Sequence, residues 1–140
     1  MKGLKEFLLE SAEPDKKIFV VIKPGFLDKT QEILNIYKDE GWVLKFSTIK
    51  KLLLSEAREL YKIHKKQDFY KDLCDYMSSG VTRAMIFTKE TNQDEFKEAT
   101  RIKDSIREKW GESDMRNVVH SSDSKENMER EAGIYFSNIW

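Results

Sequence analysis

Five consecutive apolar residues, Ile18-Phe19-Val20-Val21-Ile22, four of them β-branched, constrain this chain more than any other stretch. Such side chains are stiff about the first torsion and suit a pleated strand. A run without polar alternation has no face to give to water, so it belongs to a central strand buried on both faces. Lys23-Pro24-Gly25 ends it, because Pro24 has no amide hydrogen to donate to a sheet ladder. The run is also the longest apolar one in the chain, and crossing a bilayer takes about 20 such residues.

Other elements are placed around that strand by their periodicity. Leu4, Phe7 and Leu8 recur at helical spacing, so residues 1 to 16 read as a short amphipathic helix leading through Ala12, Glu13 and Pro14 into a turn. Residues 17 to 140 are then a single domain. From Asp28 to Lys38 a helix is expected, with Asp28 as N-cap and Gly41 as its stop. Trp42, Leu44, Phe46 and Thr48 alternate as one side of a half-buried strand. Two helices follow, Ser55 to Ile63 and Asp68 to Met77, each opening on a capping residue. Ser78-Ser79-Gly80 breaks the chain before a strand from Val81 to Phe87. A helix from Gln93 to Trp110 carries Phe96, Ala99, Ile102 or Lys103, Ile106 and Trp110 on one stripe, and Gly111 stops it. Asn117 to His120 is a short apolar piece, and Ser124 caps a last helix whose Met128, Ala132 and Tyr135 share a face. This order predicts an α+β domain, an antiparallel sheet with helices on one face.

Composition narrows the function classes. Lys plus Arg and Asp plus Glu number 25 each, so no global basic field draws in nucleic acid or anionic lipid, and an anion must meet a local cluster. Lys2, Lys5, Glu6 and Glu10 stand where a signal peptide would be apolar, and Cys74 is the only cysteine. The expectation is a cytoplasmic protein with no internal disulfide and no cysteine-rich metal site.

The richest chemistry surrounds His120. Ser121, Ser122 and Ser124, the amide of Asn117 and the guanidinium of Arg116 are donors suited to phosphate oxygens, although the same serines also suit a helix cap. A neutral histidine can accept a phosphoryl group when an acceptor on its other ring nitrogen fixes the tautomer. Glu131 is a candidate for that acceptor, and equally for a solvated charge. Lys23, at the exit of the buried strand, is placed to meet an anion or simply to be hydrated. Tyr61 and Phe69 flank the basic stretch Lys62, His64, Lys65 and Lys66, as a nucleotide site or as core. The chain has neither the glycine-rich Gly-x-x-x-x-Gly-Lys loop nor a paired zinc-ligand motif.

Taken in order, Phe19-Val20-Val21-Ile22-Lys23-Pro24, Leu60-Tyr61, Asp68-Phe69-Tyr70, Tyr76-Met77-Ser78-Ser79-Gly80, Ala84-Met85, Ser105-Ile106-Arg107, Arg116 to Ser124 and Glu129 to Phe136 resemble the nucleoside diphosphate kinase family. The resemblance implies a ferredoxin-like sheet and transfer of the terminal phosphate of ATP or another nucleoside triphosphate to a diphosphate through a phosphohistidine, with Mg2+ held on the nucleotide phosphates. It implies His120 as nucleophile, oriented by Glu131 and Ser122, with Tyr61 beside it. Lys23 and Asn117 would contact the ribose hydroxyl, Lys23 also the transferred phosphate, Arg107 the phosphates, and Phe69 would stack on the base. Arg101 is a further candidate for the phosphates.

Three departures stand out. Gly25 replaces the family's acidic residue, and Ser121 replaces a small Gly or Ala. The interval before Arg107 is too short for the family's long phosphate-clamping loop, and Thr91 precedes the helix rather than following it, so it takes no part of that role. The shortened loop turns the expected homo-oligomer toward a dimer. A nucleotide-binding or scaffolding protein of the same fold, or a donor of histidine phosphate to another protein, are the alternatives from other classes.

Overall fold

The structure is a computed structural model that describes residues 3–9 and 15–140; Ala12, Glu13 and Pro14, where a turn is expected, lie outside the described residues. Four strands, β1 (Asp15–Ile22), β2 (Val43–Lys50), β3 (Thr82–Glu90) and β4 (Val119–Ser121), form one antiparallel sheet in the order β2-β3-β1-β4. Residues 18 to 22 are almost wholly buried, as the unbroken apolar run requires. The helices are α1 (Leu4–Leu9), α2 (Thr30–Asp39), α3 (Leu54–Leu60), α4 (Tyr70–Met77), α5 (Glu95–Trp110) and α6 (Lys125–Phe136). The architecture is the expected α+β, ferredoxin-like one.

Helices cover both faces of the sheet, not one. Ile18, Val20, Ile22, Met85 and Phe87 pack with Ile33 and Tyr37 of α2 and Ala99, Ile102 and Ile106 of α5. Phe19, Val21, Ala84 and Ile86 pack on the other face with residues of α1, α3, α4 and α6. A strand apolar at every position needs this arrangement, since each face must meet a dry layer. Leu4 and Leu8 of α1 are buried in the second layer, and Lys5 reaches Glu129 of α6 at 3.5 Å. The first strand already begins at Asp15.

Several local expectations change. The register of β2 against β3 shifts between Leu44 and Phe46. An extra residue there reverses the alternation, so Trp42 enters the α2/α5 layer while Phe46 packs against the opposite one. Asp28 lies inside a 3₁₀ turn, Leu27–Lys29, and does not cap α2. Gly41 does stop it: at φ +92° its amide donates to the Lys38 carbonyl (2.9 Å), and that of Trp42 donates to Tyr37 (2.9 Å), the paired bonds of a Schellman ending. Ser55 lies within α3, where the Glu56 carboxylate instead receives the Leu53 amide at 2.9 Å. Asp68 gives α4 no cap, since the residue preceding that helix is Phe69. Asp94 and Ser124 cap α5 and α6, accepting the amides of Phe96, Lys97 and Asn127.

Candidate active site

The end of β1, the short β4, and α3, α5 and α6 converge on a cleft of about 570 Å³ lined by Lys23, Tyr61, His64, Phe69, Lys103, Arg107, Asn117, His120 and Glu131 among others. Strand pairing sets His120 opposite Val21, which carries it beside the exit of β1 and Lys23. Glu131 projects from α6 beneath it.

Glu131 is 1% exposed. A carboxylate so buried must be satisfied by donors, and it is. Its Oε1 lies 2.5 Å from His120 Nε2 and accepts the Ser122 hydroxyl at 2.9 Å, while an Arg130 Nη approaches Oε2 at 3.5 Å. An ionised carboxylate only accepts, so a neutral imidazole bonded to one through Nε2 carries its hydrogen there and its lone pair on Nδ1. The Tyr61 ring meets the imidazole edge to face, 5.3 Å between centroids.

Opposite the imidazole the cleft is cationic. Lys23 Nζ donates to the Met115 carbonyl (3.3 Å) and stands over Tyr61, 5.9 Å from its centroid. Burial, then Arg107 and Lys103, pull its pKa down to about 7. Arg107 Nε donates to the Val119 carbonyl (3.1 Å), tying α5 to the strand that bears His120. Burial lowers the pKa of Arg107 and of Lys103 as well, and Arg107 lowers Lys103 further. Asn117 donates to the Asp114 carbonyl at 2.7 Å and leaves its buried Oδ1 without a partner. The buried Tyr61 hydroxyl is likewise unpartnered. Phe69, 47% exposed at the mouth, has its ring 5.7 Å from His64. The segment turning into β4 is strained: Val118, β-branched, sits at φ 79°.

Thus Lys23, Tyr61, Phe69, Arg107, Asn117, His120 and Glu131 share one cleft, with Ser122 behind Glu131. Arg101 does not join them. Its guanidinium pairs with Glu40 after α2, because two residues of helix turn it by about 200° from the side that Lys103 presents. Arg116 is also elsewhere, over the rings of Phe26 and Tyr76 and 2.9 Å from Glu112. Ser124 is spent on the helix cap. Gly25 takes φ +90°, a backbone conformation that residues other than glycine rarely adopt, and a Cβ there would meet only the flexible end of Arg116, 2.9 Å from Nη2. Thr91 accepts the Gln93 amide before α5, away from the cleft. Lys103 is a cleft cation that sequence reasoning left without a role. The i, i+4 spacing of Lys103 and Arg107 was the available signal.

Residues 16–139 match the sequence model of nucleoside diphosphate kinase. The chain belongs to the nucleoside diphosphate kinase family. A nucleoside diphosphate kinase of Thermosipho africanus is 31% identical over 88% of this chain and 90% of its own, and one of Nitratiruptor is 34% identical over 84% and 92%. Among solved structures, the Aquifex aeolicus nucleoside diphosphate kinase superposes with a TM-score of 0.72 at 25% identity, covering 87% of this chain and 95% of that one. In this family member α5 runs unbroken from Glu95 to Trp110 and carries Arg107 itself, so no long loop precedes that arginine.

Proposed function

We propose that this nucleoside diphosphate kinase works by a ping-pong route in which Nδ1 of His120 takes the terminal phosphoryl group of a nucleoside triphosphate. The observation carrying this proposal is the Glu131 carboxylate at 2.5 Å from Nε2, which turns the lone pair of the other ring nitrogen toward the cleft. The Nδ1–P bond forms as the P–O bond to the β-phosphate breaks, and the nucleoside diphosphate leaves with that electron pair. The imidazole becomes cationic, and Glu131 opposes the charge. In the second half an oxygen of another diphosphate attacks the same phosphorus, and the N–P electrons return to Nδ1.

Phosphoryl transfer needs mainly alignment and charge neutralisation. Lys23 and Arg107 supply charge, Asn117 takes the ribose hydroxyl on its unpartnered Oδ1, and Phe69 stacks on any base. Mg2+, bound to the nucleotide phosphates, would neutralise developing negative charge. Among the described residues no group of three His, Cys, Asp or Glu forms a metal cage. The cleft's cations and its lining carboxylates Asp114 and Asp123 fit a hydrated ion that arrives on its nucleotide.

Every named cleft residue lies between Lys23 and Glu131, but β1 already begins at Asp15 and α1 packs Leu4 and Leu8 into the core, so we take the catalytic domain to include Asp15 and Lys16 and to carry α1 as part of its packing. No helix among the described residues is long and apolar enough to cross a membrane. We place the protein in the cytoplasm, where a lone unpaired Cys74 is at home. We assign it a homodimer, supported by exposed Val43, Ile49 and Leu53 along and beyond the edge strand β2.

Transfer is tested in two stages. Protein exposed to ATP labelled on its terminal phosphate, then freed of nucleotide, should hold label and pass it to added GDP or CDP. Label that never leaves the protein, or triphosphate formed only when both nucleotides are present together, would contradict a ping-pong route.

A further inference from the structure

Lys103 lines the cleft yet has no part in the scheme above. It sits on α5 one turn before Arg107, and residues four apart share a helix face. Its side chain is only 20% exposed. A lysine so covered, unless held by a strong counter-ion, carries a desolvation cost that an anionic ligand would offset. Its nearest carboxylate, Asp104, is 3.9 Å away on a side chain 65% exposed to water, so that pair is weak. Asp123 acts on it as well, but burial and Arg107 prevail and its pKa is lowered. Lys103 in turn depresses Lys23. Three cations are thus crowded against one cavity, at mutual electrostatic cost.

We propose that Lys103 is a phosphate-contacting residue of this enzyme, gripping the distal phosphates of the nucleotide beside Arg107. The assignment rests on the cleft being the nucleotide site. It accounts for a cation held on the body of α5, facing inward, in a chain with no long loop ahead of Arg107. Lys103 acts on phosphates beyond the first, whereas Phe69 and Asn117 act on the base and ribose that every nucleotide shares.

Calorimetric titration of ADP and AMP into the wild type, Lys103→Ala, Lys103→Arg and Lys97→Ala separates the possibilities. Lys97 is on α5 outside the cleft and controls for net charge. Lys103→Ala should weaken ADP about tenfold or more and AMP by less than about threefold. Lys103→Arg should bind ADP nearly as the wild type does, and Lys97→Ala should change neither ligand. Equal weakening of ADP and AMP, or an unchanged ADP affinity, would overturn the assignment. Should the alanine variant not fold, Lys103→Met keeps the aliphatic stem and serves instead. If the wild type takes no label from ATP, the reaction scheme fails whatever Lys103 does. If label forms and Lys103→Ala binds ADP normally, only the Lys103 assignment falls.

Discussion

A carboxylate buried to 1% exposure beside an imidazole is costly unless its charge is used. In the proposed route Glu131 would fix the tautomer of His120 and oppose the cation that forms on it. Glu131→Gln keeps the shape but presents either a donor or a neutral acceptor to Nε2. Turnover should therefore fall on the order of 10²-fold or more, with ADP affinity within about twofold of wild type. Steady-state rates and ADP titrations check this, and an unchanged turnover would relieve Glu131 of its orienting role. Lys23, with its pKa pulled down to about 7, gives a second test. Below that pH it is charged in both folded and unfolded chains. Above it, the folded chain loses the proton that the unfolded one keeps until about 10.5, so this group makes the free protein more stable as pH rises. Nucleotide affinity moves the other way, because an anion is best met by the charged form. ADP binding should weaken between about pH 7 and about pH 9, and Lys23→Arg should flatten that dependence. A flat wild-type profile would show that Lys23 stays charged in the empty cleft. His120 and its neighbours were legible in the sequence through the ordered motifs. Arg101 and Arg116 were misplaced because adjacent residues on a helix or loop point in different directions, which one-dimensional spacing does not reveal.

Among the elements, the type and order of strands and helices followed from periodicity, while their ends did not. Asp28, Ser55 and Asp68 had the chemistry of caps, but the backbone entered each helix by another route, through a 3₁₀ turn or a neighbouring residue. The bulge near Leu44 was illegible because an inserted residue leaves the apolar pattern intact and changes only which face it serves. Gly41 was readable, since a glycine after an apolar-periodic segment is a common stop. Its φ of +92° makes the position sensitive: a Cβ would be strained there and would sit 3.1 Å from Lys89 Cε. Gly41→Ala should cost about 1 to 2 kcal/mol of stability in urea unfolding, with catalysis unchanged at a temperature where the variant is folded. A neutral substitution would show that the ending relaxes at little cost.

For the whole molecule, an unalternating apolar strand already required two dry layers, and the one-faced sheet expected from element order disregarded that requirement. The structure satisfies the strand: α2 and α5 close one face, and α1, α3, α4 and α6 the other. Assembly follows from what remains exposed. Stable interfaces bury on the order of 1,200 to 2,000 Å² in total, and without a long loop before Arg107 a secondary contact has less surface to offer. Light scattering at micromolar concentration should give a dimer mass. A hexamer would show that a long loop is dispensable for the larger assembly, and a monomer that the β2 edge does not pair.

The proposed reaction depends on His120 being the group that carries the phosphate. The most direct measurement is to incubate the wild type and His120→Ala with ATP labelled on the terminal phosphate and to follow protein-bound label in acid and in alkali. The wild type should hold label that survives alkali and is lost in acid, as a phosphoramidate does, and His120→Ala should hold none. Acid-stable label on Ser121 or Ser122, or label persisting in His120→Ala, would contradict the account.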